Sequence, residues 1–221
     1  MLLNYLILST GRSRSGVLAH YLRNLKCGLP DEFFEVARFD LLKTGSESQM
    51  RKQVGNFLDS KRDNGILGMR MVWSHARRMS DKLGMGIKEF ADTYFPDTRY
   101  IFFKRNPLMQ AVEGRVYDFK SKGIDPRKAS PADILKSVSN RVWQIVVGYQ
   151  AWEEYFRHYD IDPLRIYSED LAEDPANVCK EIFEFLGLPY PDITLKDNYN
   201  DSTSSNPSVS RFYNICIQEY L

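Results

Sequence analysis

A chain of 221 residues, 43% of them apolar, can bury one sizeable core, and 30 basic against 29 acidic side chains leave a net charge of +1. That balance offers no global attraction for nucleic acid or an anionic membrane, so any anion site must be local. Three widely spaced cysteines, Cys27, Cys179 and Cys216, lack metal-ligand spacing and an even count, which argues against a disulfide framework and for free thiols in a reducing compartment.

The apolar stretch Leu2 to Leu8 is too short to cross a bilayer and has no basic n-region, so the expectation is a cytoplasmic protein. Leu3, Tyr5, Leu6, Ile7 and Leu8 read as a buried parallel strand, and Val17, Leu18, Tyr21, Leu22 and Leu25 recur at helical spacing, with Gly28 as the stop. Between strand and helix lie Thr10, Gly11, Arg12, Ser13, Arg14, Ser15 and Gly16. A helix N-terminus there presents unpaired N–H donors and about half a unit of positive charge, to which two arginines and three hydroxyls add directed donors. The loop therefore reads as an anion cradle, most simply for a phosphate; a surface loop capping a helix is the bland alternative. It is not a Walker A motif, because no Gly-Lys-Ser/Thr follows at the required spacing, which argues against a magnesium NTPase or a nucleotide kinase-like phosphotransferase.

Residues 28–35 place Glu32 among turn residues next to Phe33 and Phe34. Residues 45–60 form a surface helix. Residues 65–73 form a second buried strand, whose Gly68 would let another backbone or a ligand come close, and His75 follows just past its end. A short helix over 87–94, a turn at 96–98 and a third strand over 99–104 come next, emptying into Arg105-Asn-Pro107, where proline suits the first turn of a helix running to about Gly123. A turn-rich link follows at Pro126 to Pro131. Ile134 to Phe156 mark a long amphipathic helix, whose Trp and Phe content leaves room for a homodimer face. Residues 163–168 form a fourth strand, and a last helix is capped by Asp174 and ended by Gly187. The expectation is one domain over 1–221, with a core over 1–190 and an irregular tail over 191–221. Strands alternating with helices predict an α/β fold: a three-layer arrangement with a central parallel sheet and helices on both faces. Ligands then bind at the carboxyl ends of the strands, where Arg12 to Ser15 and Lys104-Arg105 meet. A donor with separate phosphates on the 5′ and 3′ positions of adenosine would need two such sites.

In this order, Leu-Ser-Thr-Gly-Arg-Ser-Arg-Ser, Gly-Leu-Pro-Asp-Glu-Phe-Phe, Gly-Met-Arg-Met-Val-Trp, Phe-Phe-Lys-Arg-Asn-Pro-Leu-Met-Gln-Ala-Val and Ile-Tyr-Ser-Glu-Asp-Leu-Ala-Glu-Asp-Pro resemble the Stf0 type of sulfotransferase, typified by the bacterial trehalose 2-sulfotransferase. The resemblance spans residues 3 to about 190 and implies the P-loop NTPase-like sulfotransferase fold. It also implies a 3′-phosphoadenosine-5′-phosphosulfate (PAPS) donor, a hydroxyl acceptor that is commonly a sugar, and no metal. By the same resemblance the first loop holds the 5′-phosphosulfate, with Arg12 on the leaving phosphate. The resemblance also implies that Arg105 holds the 3′-phosphate and that Glu32 is the general base; His75, just past a strand end, is the second choice on chemical grounds. Phe33, Phe34, Trp73 and His75 are the candidate acceptor contacts.

Three residues depart from that pattern. Arg14 replaces a glycine, Gly16 replaces a threonine, and Glu113 stands where a serine would join Arg105 at the 3′-phosphate. A carboxylate about 4 Å from a phosphate costs about 4 kcal/mol per charge pair at an effective dielectric of about 20. Three outcomes are open for Glu113: it turns away, Arg14 or Arg115 offsets it, or the donor is lost. The reading preferred here is an outward Glu113, in solvent or paired with Arg115, that leaves Arg105 and Arg14 to hold the phosphate. The alternative function is a degenerate, non-catalytic member that binds a carbohydrate or a partner. In the tail, Lys196 and Arg211 are weak candidates for closing over a nucleotide.

Overall fold

The computed structural model describes residues 2–34, 46–193, 195 and 206–220. The expected Lys196 contact, like Glu35, lies outside them. Among the described residues, four parallel strands form one sheet in the order β2-β1-β3-β4, with β1 at Leu3–Ser9, β2 at Ile66–Val72, β3 at Arg99–Lys104 and β4 at Leu164–Tyr167. Between β1 and β2 lie α1 (Ser15–Asn24) and α2 (Glu47–Asp59), and between β2 and β3 lie α3 (Trp73–Leu83) and α4 (Ile87–Tyr94). Helices α5 (Pro107–Ser121) and α6 (Pro131–His158) join β3 to β4, which is followed by α7 (Ser168–Glu173), α8 (Pro175–Leu186) and α9 (Pro207–Tyr220).

Successive side chains of a strand point to opposite faces, and the chain uses both. Leu6 and Leu8 of β1 with Tyr100 and Phe102 of β3 enter one core, which Val54, Met79, Phe90, Val112, Trp152 and Phe212 complete from the helices. Tyr5, Ile7, Ile101 and Phe103 enter the other, against Leu18 and Leu22 of α1 and Ile182 and Phe183 of α8. A sheet apolar on both faces must be covered on both, and this gives the expected three-layer α/β architecture.

Several expectations need correction. The stretch beyond Pro189 is not wholly irregular: α9 buries Val209, Phe212 and Cys216 at helical spacing, and Arg211 donates to the carbonyls of Pro126 and Ala129 at 3.1 and 2.8 Å. Arg211 is thus tied to the connection ahead of α6 and is not free to close over a ligand. The first helix ends at Asn24, short of Gly28. The space above Gly68 admits neither backbone nor ligand, because the Tyr5 ring fills it and gives its hydroxyl to the Cys27 carbonyl at 2.8 Å. Trp73 opens α3 and does not end a strand. All three cysteines are free and buried, and burial pushes the Cys27 and Cys179 thiols up to about 12.

Candidate active site

The loop after β1 leaves the sheet beside β3, as the parallel pairing of β1 with both β2 and β3 requires. Two of its residues, Arg12 and Arg14, sit at φ 68° and 70°, in the left-handed region that non-glycine residues seldom adopt. Such strain costs on the order of 1–3 kcal/mol per residue and persists only where the surroundings impose it. The loop is in fact held from inside. The side-chain amide of Gln110, on α5, donates to Thr10 Oγ1 at 2.8 Å and to the Gly11 carbonyl at 2.6 Å. The Tyr149 hydroxyl, on α6, donates to Gln110 Oε1 at 2.8 Å and accepts from the Arg105 N–H at 2.9 Å. Trp152 Nε1 donates to the Ser9 carbonyl at 2.9 Å. A buried network thus locks the end of β1 to the end of β3. Gly148 is small because a Cβ there would come within 2.8 Å of Thr10 Cγ2.

The hydroxyls expected to face a ligand are largely committed inward. Thr10 is bonded by Gln110, and Ser13 Oγ accepts from the Ser15 N–H at 3.3 Å. Helix α1 begins at Ser15 with Arg14 as its N-cap; the Arg14 side chain supplies no cap, the Ser15 N–H goes to Ser13 Oγ, and the Val17 N–H goes to the Arg14 carbonyl at 2.8 Å. Arg12 lies over the exposed Tyr117 ring, 3.7 Å from its centroid.

Glu113 is neither outward nor paired with Arg115. Its oxygens take Arg105 Nη1 and Nη2 at 2.7 and 2.5 Å, and Arg14 Nη2 and Nε at 2.6 and 3.3 Å. Arg115 turns instead to Asp118 Oδ2, at 3.3 Å, and to the Ser137 carbonyl at 3.0 Å. The physical reason is mutual compensation. An arginine at position 14 brings a second cation to the buried Arg105, two guanidinium groups side by side repel, and a carboxylate at position 113 bridges both with charge-assisted bonds. Two of the three departures from the motif therefore answer each other. The third has its own counterpart: a Cβ on Gly16 would lie 3.4 Å from Arg70 Nη1, so the small residue makes room for that guanidinium.

Arg70 is the principal side chain that the sequence reading missed. It projects from β2 onto the α1 face and reaches Ser15 Oγ at 3.4 Å and Asp31 Oδ1 at 3.3 Å, with Glu32 Oε2 at 4.0 Å. Its Nε is buried with no hydrogen-bond partner among the described residues. Beyond it, Glu32 Oε1 lies 2.8 Å from His75 Nδ1, at ion-pair distance though off the line of a hydrogen bond. The arrangement runs from the anion cradle through one guanidinium to a carboxylate and an imidazole. Of the other expected acceptor contacts, Phe33 and Phe34 are core residues, 4% and 5% exposed, packed on Phe57 and Phe90. Aromatic side chains after a proline turn filled a gap between helices, and the sequence could not distinguish this from a binding wall. Trp73 packs edge-on against Trp152 with centroids 4.9 Å apart. Among the described residues, no group of three His, Cys, Asp or Glu side chains could hold a metal ion, and no helix is long and apolar enough to cross a membrane.

Comparison with known proteins gives the frame for this geometry. The family model of the Stf0 sulphotransferases matches residues 4–208. No curated protein matches the chain. Among solved structures, a sulfotransferase from Alicyclobacillus acidocaldarius superposes with a TM-score of 0.57 at 19% identity, over 99% of this chain and 94% of that one. The sulfotransferase domain from the curacin biosynthetic pathway superposes with a TM-score of 0.50 at 16% identity, over 95% of this chain and 82% of that one. At such identities the likeness establishes a shared fold.

Proposed function

The chain belongs to the Stf0 sulphotransferase family, and from that premise we propose that it moves a sulfuryl group from PAPS to a hydroxyl of a carbohydrate or similar small acceptor. The observation that carries this reading is the path from Ser15 at the start of α1, through Arg70, to Glu32 and His75.

Sulfuryl transfer, like phosphoryl transfer, passes through a loose in-line transition state, so the protein's work is to place two oxygens and to stabilise charge on the leaving group. Arg12 and the α1 N-terminus supply positive charge to the leaving phosphate. Arg70 spans the two halves of the site and fixes the carboxylate side against the cradle. Glu32 accepts the proton of the acceptor hydroxyl as the new bond forms, and His75 beside it steadies the carboxylate and offers a second proton acceptor. Three buried free thiols fit a reducing, cytoplasmic setting.

The closed Arg14–Glu113–Arg105 cluster favours a second reading, a member of the fold that has given up the donor and kept a cleft for a carbohydrate or a partner. Incubation with radiolabelled PAPS and a panel of sugars separates the two. Labelled product supports the enzyme, whereas sugar binding without product or nucleotide binding supports the second reading.

A further inference from the structure

Of the aromatic side chains on α6, Tyr149, Trp152, Tyr155 and Phe156 are buried, whereas Trp143 is 68% exposed. Trp143 belongs to a stripe. Lys136, Asn140, Trp143, Val147, Gln150 and Glu154 are all exposed, and they follow one another at intervals of four, three, four, three and four residues. That alternation keeps side chains on one face of a helix and is the spacing of a coiled-coil seam, here about 27 Å long. The seam runs along the side of α6 away from Ile145, Tyr149 and Trp152, which enter the core. Among the described residues, none of its four polar members has a hydrogen-bond or ion-pair partner.

The order of the six residues is self-complementary. Trp143 and Val147 stand two positions to either side of Ile145, Asn140 and Gln150 stand five, and Lys136 and Glu154 stand nine. A two-fold axis across α6 at the level of Ile145 sets two copies of the helix antiparallel, so that residues equally far from that level face each other. Trp143 then meets Val147, Asn140 meets Gln150, and Lys136 meets Glu154, each contact occurring twice. The indole and the isopropyl group bury the apolar centre, the amides pair at its border, and opposite charges close both ends. A parallel pairing would instead set Lys136 on Lys136 and Glu154 on Glu154, so charge favours the antiparallel one. A lipid surface calls for a wider apolar stripe with basic flanks, and this stripe carries two amides and a carboxylate.

We propose that α6 pairs with α6 of a second copy of this chain through this seam, forming a two-fold dimer with Trp143 and Val147 at its centre. The proposal stands apart from the sulfotransferase reading, because the residues of α6 that hold the loop after β1, Tyr149 and Trp152, lie on the opposite side of the helix. Six residues on each side fall short of the roughly 800 Å² per partner of a standard interface, so the dimer should be reversible in the micromolar range.

Sedimentation velocity of the full chain between about 1 and 300 μM tests it. The wild type should pass from monomer to dimer over that range, and Trp143→Glu should raise the dissociation constant at least about 10-fold. Lys136→Glu or Glu154→Lys alone sets like charges together at both ends and should raise it about 3- to 10-fold. Combining the two reversals should bring it back to within about twofold of the wild type. All three sites are exposed, so every variant should keep the wild-type circular dichroism spectrum and melting temperature, which separates lost pairing from lost folding. A wild type that stays monomeric throughout overturns the proposal and leaves the seam to a different partner. A dimer indifferent to Trp143→Glu overturns the choice of face. A dimer that Trp143→Glu disrupts, but that either single reversal leaves unchanged or the combined reversal does not restore, overturns the antiparallel register.

Discussion

Two carboxylates at the carboxyl edge of the sheet, Glu113 and Glu32, are held in opposite ways. Glu113 is 10% exposed and has both oxygens saturated by two guanidinium forks, one of them on the 5% exposed Arg105. Glu32 is 23% exposed and meets one imidazole at 2.8 Å and one guanidinium at 4.0 Å. A carboxylate with all its lone pairs committed to charge-assisted bonds fixes structure, because moving a proton onto it would break the cluster. One with fewer contacts keeps lone pairs that can meet a substrate hydroxyl. On the proposed function, the difference divides the two carboxylates between two tasks: Glu113 holds β3 and α5 together, and Glu32, beside β2 and α3, takes the acceptor's proton.

The largest effect that would break this comparison is on catalysis. Glu32→Gln should bind the donor normally and lose a factor of about 100 to 10,000 in turnover, with a smaller loss for His75→Ala, as read by steady-state rates on a proven acceptor. Near-normal rates in Glu32→Gln would move the base to His75.

The closed side should respond through stability. Glu113→Ala leaves the buried Arg105 beside the half-buried Arg14 without the carboxylate that bridges them and should cost about 3–5 kcal/mol in urea unfolding. A cost below about 1 kcal/mol would mean that the cluster is a surface pair in energetic terms. Tyr149→Phe removes the partner of Gln110 Oε1 and of the Arg105 N–H, and should cost about 1–3 kcal/mol while loosening the loop. Smallest is Gly16→Ala, which sets a methyl 3.4 Å from Arg70 Nη1. A flexible guanidinium can yield, so stability should fall by about 1 kcal/mol or less while the rate falls more, because Arg70 links the cradle to Glu32.

Much of the frame was legible in the residues. The apolar runs at 3–8 and 99–104 are short and bounded by turns, and Pro107 and Asp174 mark helix starts, so four parallel strands and most of the helices between them could be read in order. Helix α3 was not, because its buried residues Ala76, Met79 and Leu83 are sparse and stand among charges. The same holds for α9, whose stripe of Val209, Phe212 and Cys216 is carried by polar and small neighbours. Within the site, Arg12, Arg14 and Glu32 could be placed because the loop and the turn after α1 are local in sequence. Arg70, Gln110 and Tyr149 act across 39 to 100 residues of chain, as in the Gln110 bond to Thr10 or the Arg70 bond to Asp31. No periodicity records which side chains such crossings bring together. The orientation of Glu113 went astray for a related reason. An offset by Arg14 was one of the three open outcomes, but nothing in the sequence shows that two side chains 99 positions apart meet.

The central claim is that a nucleotide with two phosphates binds this edge even though Arg105 is committed to Glu113. Calorimetry of the wild-type chain with adenosine 3′,5′-bisphosphate tests it most directly. The account predicts saturable one-to-one binding with a dissociation constant below about 10 μM. No detectable heat of binding at millimolar nucleotide, in a chain shown to be folded, would contradict it.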